Sequence, residues 1–166
     1  MPRRYYRRTF KAKNKYSVEQ KAFTTTLATL SGSSRQAAIQ VVPPTGTEGM
    51  RKVKHLTCSV QLYNDTVQDI GSAVYWALVY VPEGYSINGL NIGSPSATPT
   101  SLYEPSQFVM NCGVSDPTAG PIRVTSRISR NLNQGDSVYL ICGTYVTTAT
   151  VTPTVQGVVR YAITLH

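Results

Sequence analysis

The 166-residue chain is poor in the side chains that enzymes use for acid–base or metal chemistry. It has only eight Asp and Glu, two His and three Cys, and its carboxylates are scattered instead of paired. His55 and Cys58 stand close together, but residues i and i+3 of a strand point to opposite faces, which excludes a nucleophile and base pair. No second close pair completes a zinc site. The sequence therefore predicts no enzyme, no cofactor and no metal site.

The three cysteines stand far apart, in "LTCSV", "MNCGV" and "LICGT". This spacing is not that of a disulfide framework and favours a reducing compartment. Because free cysteine behaves as a small hydrophobic side chain, the apolar neighbours predict that Cys58, Cys112 and Cys142 pack in a core.

Long hydrophobic runs are also missing. The longest, "AVYWALVYV" at 73–81, is less than half of the ~20 residues that a membrane-spanning helix needs. A secretory signal needs an apolar run of about 7 to 15 residues after its charges, and "TFKAKNKYSVEQK" contains none. We therefore expect neither a membrane partner nor secretion.

What the chain has in quantity is Val, Thr, Tyr, Ile, Ser, Gly and Pro, the composition of strands separated by turns. In "KHLTCSVQLY", apolar Leu56, Cys58, Val60 and Leu62 alternate with polar residues, which predicts a half-buried antiparallel strand. The continuous run at 73–81 predicts a central strand covered on both faces. In all, eight strands are predicted, at about 22–30, 36–42, 52–63, 73–82, 107–112, 122–129, 137–147 and 156–165.

Eight strands without a helical layer predict an all-β sandwich or barrel, and the eight-stranded jelly-roll sandwich is one member of that set. The loop at 83–106 is longer than usual connections, which is typical of a functional or surface-presenting segment, and one helical turn is expected near Leu102–Glu104. We expect two parts: an arm over 1–17 and one β domain over 18–166.

The net charge of +8 is concentrated at the N-terminus. Residues 1–16 hold seven Lys and Arg and no carboxylate (+7), while residues 17–166 hold nine Lys and Arg against eight Asp and Glu (9 − 8 = +1). Such a block is typical of an arm that binds nucleic acid or an anionic membrane, although a solvated, disordered terminus has the same composition. It also matches the K/R-rich segments that nuclear import factors bind.

Aromatic residues are interleaved with the cations of this arm. Cations neutralise phosphates, whereas aromatic rings stack on the exposed bases of a single strand, so the mixture favours single-stranded nucleic acid. Tethering of the rings to the body of the protein is the alternative. The predicted nucleic-acid-binding residues are Arg3, Arg4, Tyr5, Tyr6, Arg7, Arg8, Phe10, Lys11, Lys13, Lys15 and Tyr16.

Two weaker groups of cations lie in the β domain. "RKVK" stands at a strand entrance, and "IRVTSRISR" carries three arginines at short spacing. They are interpreted as possible secondary basic sites on an inner surface or an interface, with a solvated face or ion pairing as the alternative. The residues are Arg51, Lys52, Lys54, Arg123, Arg127 and Arg130.

Five phrases, in order, resemble the capsid proteins of small circular single-stranded DNA viruses, the circovirus-like group whose genomes encode a replication initiator. They are "EGMRKVKHLTCSVQLY", "SAVYWALVYVPEG", "LYEPSQFVMNCG", "GPIRVTSRISRNLNQGDSVYLI" and "GVVRYAITL". The resemblance spans about residues 16–166 and is carried by this series, not by one motif.

The resemblance implies a single jelly roll and a shell of about sixty identical subunits around one circular single-stranded DNA. It implies an arm that faces the interior, a virion protein and assembly in the host nucleus. Circovirus arms are longer and richer in arginine than this one. Two other classes remain open: a shell protein of a small single-stranded RNA virus or satellite, and a β-sandwich binding module, such as a carbohydrate-binding domain, with an incidental basic tail.

Overall fold

A computed structural model of the chain describes residues 16–63, 70–87, 108–147 and 150–165. These residues form ten strands and one 3-10 helix, Pro117–Ala119. The strands are β1 Ser17–Thr26, β2 Ala28–Ser31, β3 Ser34–Val42, β4 Arg51–Tyr63, β5 Ile70–Val81, β6 Val109–Ser115, β7 Ile122–Ser126, β8 Arg130–Leu132, β9 Ser137–Val146 and β10 Thr154–Leu165. The helical turn predicted near Leu102–Glu104 and most of the 83–106 loop lie outside the described residues.

The strands form two antiparallel sheets. Sheet 1 has the order β1-β10-β4-β7, with β8 also paired to β4, and sheet 2 has the order β2-β3-β9-β5-β6. Without the short strands β2 and β8, consecutive strands pass from one sheet to the other, except β5 and β6, which pair within sheet 2, and the first strand pairs with the last. That connectivity is the double-sheet jelly roll, so the predicted all-β fold class is confirmed.

One of the eight predicted strands is divided in the structure, and another ends earlier than predicted. The one at 22–30 breaks at Leu27, which is fully buried and whose N–H donates to the Pro153 carbonyl at 2.8 Å. The one at 122–129 ends at Ser126, whose hydroxyl accepts the Ile128 N–H at 3.2 Å and turns the chain toward β8. Neither a long-range backbone hydrogen bond nor a local turn contact leaves much trace in a hydrophobic pattern.

The main core lies between the sheets. The predicted alternation in β4 is confirmed, since Leu56, Cys58, Val60 and Leu62 are buried and enter this core. The predicted coverage of the 73–81 strand on both faces is also confirmed. Its Val74 and Leu78 belong to the main core, while a second cluster on the far face of sheet 2 consists of Ala77, Val79, Val81 and Ile141, packed against Tyr75, Ile87, Phe108 and Tyr139.

The cysteines do not all share the predicted environment. Cys58 and Cys142 are buried, but Cys112 is exposed, so the prediction of a packed thiol is wrong for Cys112. The error arises because β6 is an edge strand of sheet 2, and apolar neighbours in sequence do not cover its outward positions.

Thiol labelling of the folded chain is expected to modify Cys112 first. Burial raises the pKa of Cys58 and of Cys142 to about 12, so neither forms appreciable thiolate near neutral pH. Iodoacetamide labelling followed by peptide mass spectrometry measures each site, and the urea-unfolded chain is the control in which all three react. Equal labelling of the three sites before unfolding would contradict the buried positions.

One buried carboxylate holds the turn between β8 and β9. Asp136, 3% exposed, accepts the Tyr80 hydroxyl at 2.7 Å, the Asn133 N–H at 2.7 Å and the Glu83 N–H at 3.1 Å. Burial, and then the bond and charge of Asp136, raise the pKa of Tyr80 to about 12, so its phenol stays a donor. Asp136 thereby joins the end of β5 to the β8–β9 turn.

Candidate nucleic-acid interface

The arm joins the β domain at the edge of sheet 1. Ser17, the first residue of β1, pairs with Ile163 of β10. The Tyr16 ring lies beside Lys54, with the ammonium nitrogen 4.6 Å from the ring centroid. Tyr16 thus packs against the β domain. For this one aromatic residue the structure shows tethering to the body of the protein, the alternative to stacking on a base. The other predicted arm residues lie outside the described part of the chain: Arg3, Arg4, Tyr5, Tyr6, Arg7, Arg8, Phe10, Lys11, Lys13 and Lys15.

Four cations share the face of sheet 1 that is turned away from sheet 2, and we call them the basic face: Lys52, Lys54, Arg123 and Arg160. Their positions follow from the register. Arg123 pairs with Ser59, Arg160 with Thr57, and Lys54 with Ala162, all outward positions. Side chains two residues apart along a strand are separated by about 7 Å. The cations therefore occupy successive rows across one surface.

The basic face has little opposing charge. Among the residues that the structure describes, no Asp or Glu occupies an outward register position of β1, β10, β4 or β7. Glu19, the carboxylate of β1, pairs with buried Tyr161 and so faces the other side of the sheet. Exposed cations without nearby carboxylates attract a polyanion, without reading its sequence.

Lys52 and Lys54 reach this face because of a β-bulge. Val53, Leu56 and Cys58 all point inward, so the alternation of β4 gains one extra residue between Val53 and Leu56. His55 is that extra residue, with φ of 52°, and the pairing with β10 shifts register between Arg160 and Ala162. Strict alternation extended back from Leu56 would have turned both lysines toward the core.

Two of the six predicted secondary basic residues point toward the inside of the sandwich. Arg51 is 8% exposed and donates to the carbonyl oxygens of Pro43 at 3.0 Å and of Asp136 at 3.3 Å. Arg130 pairs with inward-facing Val53, and its guanidinium carbon lies 5.4 Å from the Tyr80 ring centroid. The structure therefore does not place Arg51 and Arg130 on the basic face, and each instead makes contacts at the end of the sandwich.

The other four secondary basic residues are accessible. Lys52 and Lys54 are partly exposed and Arg123 is exposed on the basic face, while Arg127 is exposed just beyond the end of β7. Arg160 was missed because a lone arginine in the apolar phrase "GVVRYAITL" forms no cluster in sequence. Its partners become visible only when β10 is placed between β1 and β4.

The described residues contain neither a metal-binding cluster nor a membrane-spanning helix. Within them, no group of three or more His, Cys, Asp or Glu side chains is placed to hold a metal ion. No helix in this part of the chain is long and apolar enough to cross a membrane.

Comparison with known proteins gives only distant likenesses. No protein-family model matches the chain, and no curated protein matches it. Among solved structures it is similar to a chain of Desmodium yellow mottle tymovirus, with 17% identity, a TM-score of 0.37, and coverage of 93% of this chain and 85% of that chain. A chain of the empty head of turnip yellow mosaic virus has 14% identity and a TM-score of 0.37, covering 87% of this chain and 80% of that one.

A weaker likeness is to the BFDV capsid protein, solved as a decamer, with 10% identity and a TM-score of 0.17 over 88% of this chain and 99% of that chain. Identities and TM-scores this low define neither a family nor a function. The functional conclusion below is argued from the chain itself.

Proposed function

We propose that the chain is a viral capsid protein that self-assembles into a small icosahedral shell and packages single-stranded DNA through its basic arm. The proposal depends on one observation: a nearly neutral jelly roll is preceded by an arm with a charge of +7. The arm enters beside Lys54 of the basic face. The five phrases that resemble circovirus-like capsid proteins support the same function and favour DNA as the cargo.

The arms act collectively in this proposal. A shell of about sixty copies would bring about 60 × 7, on the order of 420, arm charges to its interior. Assembly and packaging are then coupled and weaken as salt rises, because each phosphate contact releases counterions. The same cluster would be bound by nuclear import factors of a eukaryotic host before assembly.

Reassembly of the purified full chain on competing nucleic acids tests the proposal. The chain is mixed with equal masses of circular single-stranded DNA and single-stranded RNA of matched length, then examined by electron microscopy and light scattering. Discrete particles whose extracted nucleic acid is digested by DNase, and not by RNase, are expected. Particles enriched in RNA would identify the RNA-virus alternative, and a stable monomer that forms no particle would overturn the capsid function.

A further inference from the structure

The bulge at His55 opens a cavity on the outer surface of sheet 1. The cavity has a volume of about 310 Å³ and is lined by Val18, His55, Thr57, Arg160, Tyr161 and Ala162. We call it the bulge pocket. It lies where the β4–β10 register shifts between Arg160 and Ala162, so the local widening and the pocket have one cause.

His55 occupies an unfavourable backbone conformation in this pocket. Its φ of 52° is the only positive value at a non-glycine residue in the described part of the chain. A side chain with a Cβ atom rarely adopts this region, and such strain is concentrated at functional positions. The strained backbone presents the exposed imidazole to the same side as Arg160.

Three of the polar side chains that line the bulge pocket can donate a hydrogen bond to an anion. Arg160 offers a planar fork of N–H donors that matches a phosphate group. The His55 ring has an N–H donor in either protonation state, and the Thr57 hydroxyl rotates to donate. Thr57 is the direct cross-strand partner of Arg160, which places these two side chains next to each other. Val18 and Ala162 supply a small apolar wall.

We propose that the bulge pocket binds one phosphodiester group of a single-stranded nucleic acid, held by Arg160, His55 and Thr57. This inference rests on the proposed function and locates a contact on the body where the genome leaves the arm. The end of the arm lies next to the bulge pocket, because Tyr16 packs on Lys54, and Lys54 pairs with Ala162 of the pocket. A strand bound by the arm therefore reaches the pocket without crossing an acidic surface.

Fluorescence anisotropy of a labelled oligo-dT of about twelve nucleotides with the full chain tests the pocket. Arg160→Gln is expected to lower the affinity about tenfold at low salt and to reduce the slope of log K against log salt by about 0.7. His55→Gly is expected to lower the affinity roughly threefold. Glycine adopts a positive φ readily, so this variant keeps the bulge and its Tm does not fall.

Lys21→Gln is the matched control. This substitution removes one positive charge from the same sheet, as Arg160→Gln does. Lys21 pairs with buried Val159, however, and so lies on the opposite face of the sheet from the bulge pocket. Equal losses of affinity and slope in Arg160→Gln and Lys21→Gln would overturn the pocket and leave a diffuse field. The pocket would also be overturned if Arg160→Gln bound oligo-dT as the wild type does but self-associated differently in the absence of nucleic acid. That result would assign this surface to a contact between copies of the chain.

The failure of this inference differs from a failure of the proposed function. Steep salt-dependent binding by the wild-type chain that is insensitive to Arg160 and His55 rejects the pocket alone. A wild-type chain that binds oligo-dT without salt dependence rejects nucleic-acid packaging by the arm, and the pocket with it.

Discussion

Replacement of the seven arm cations by glutamine is expected to give a chain that folds but no longer retains nucleic acid. Seven cations bound to a single strand give a slope of log K against log salt of at most about −0.7 × 7, roughly −5, and the variant should lose most of it. The affinity should fall by several orders of magnitude near physiological salt. The ratio of absorbance at 260 and 280 nm in purified material, together with oligo-dT titrations, measures both effects.

A full-length variant is preferable to a truncation at Val18. Such a truncation would remove Ser17, which pairs with Ile163, and Tyr16, which packs on Lys54. The matched control replaces Tyr5, Tyr6 and Phe10 by leucine and keeps every charge. If the rings stack on bases, this control loses about 1 to 3 kcal/mol per base contact with its slope unchanged. Full nucleic-acid content in the glutamine variant would show that the arm is not the packaging element.

Asp136→Ala is expected to lower the free energy of unfolding by about 3–5 kcal/mol. The substitution leaves the Asn133 N–H, the Glu83 N–H and the Tyr80 hydroxyl without their acceptor in a buried setting. A buried donor that loses its charged acceptor cannot bond to water instead, so the full free-energy cost of its desolvation is no longer offset. Urea unfolding followed by tryptophan fluorescence gives the difference, since Trp76 lies in the neighbouring part of sheet 2.

Asp116→Ala provides the comparison within the same chain. The Asp116 carboxylate is exposed and accepts from the N–H and hydroxyl of Thr118 at the start of the 3-10 helix. Because this contact is local and open to water, its loss should cost far less stability than the loss of the buried Asp136 carboxylate. Equal, small losses in the two variants would show that Asp136 does not organise the end of the sandwich.

Strands were predictable from sequence wherever burial imposed a pattern. The alternation around Cys58 and the continuous run at 73–81 both correspond to observed strands, because each face meets a different environment. β1 was placed five residues too late, since it is an edge strand with mostly exposed side chains and "SVEQK" shows no apolar alternation. Its pairing with β10 comes from register, which is a property of the sheet.

The candidate interface was predictable only in part, for a similar reason. Clustering in sequence identified Lys52, Lys54 and Arg123, but it also suggested Arg51 and Arg130, which face inward. The direction of a side chain depends on strand parity, and parity changes at a bulge that no composition rule locates. Arg160 joins the surface from a strand that is distant in sequence, so only the topology brings it there.

The extra residue at His55 also restricts which insertions and deletions the chain tolerates. Removing either Lys54 or His55 would give strict alternation and leave the other side chains of β4 on their present faces. A single-residue gap in a regular part of this strand would instead invert every side chain on one side of it. Related chains that keep this fold should therefore differ in length only in the loops or at this bulge.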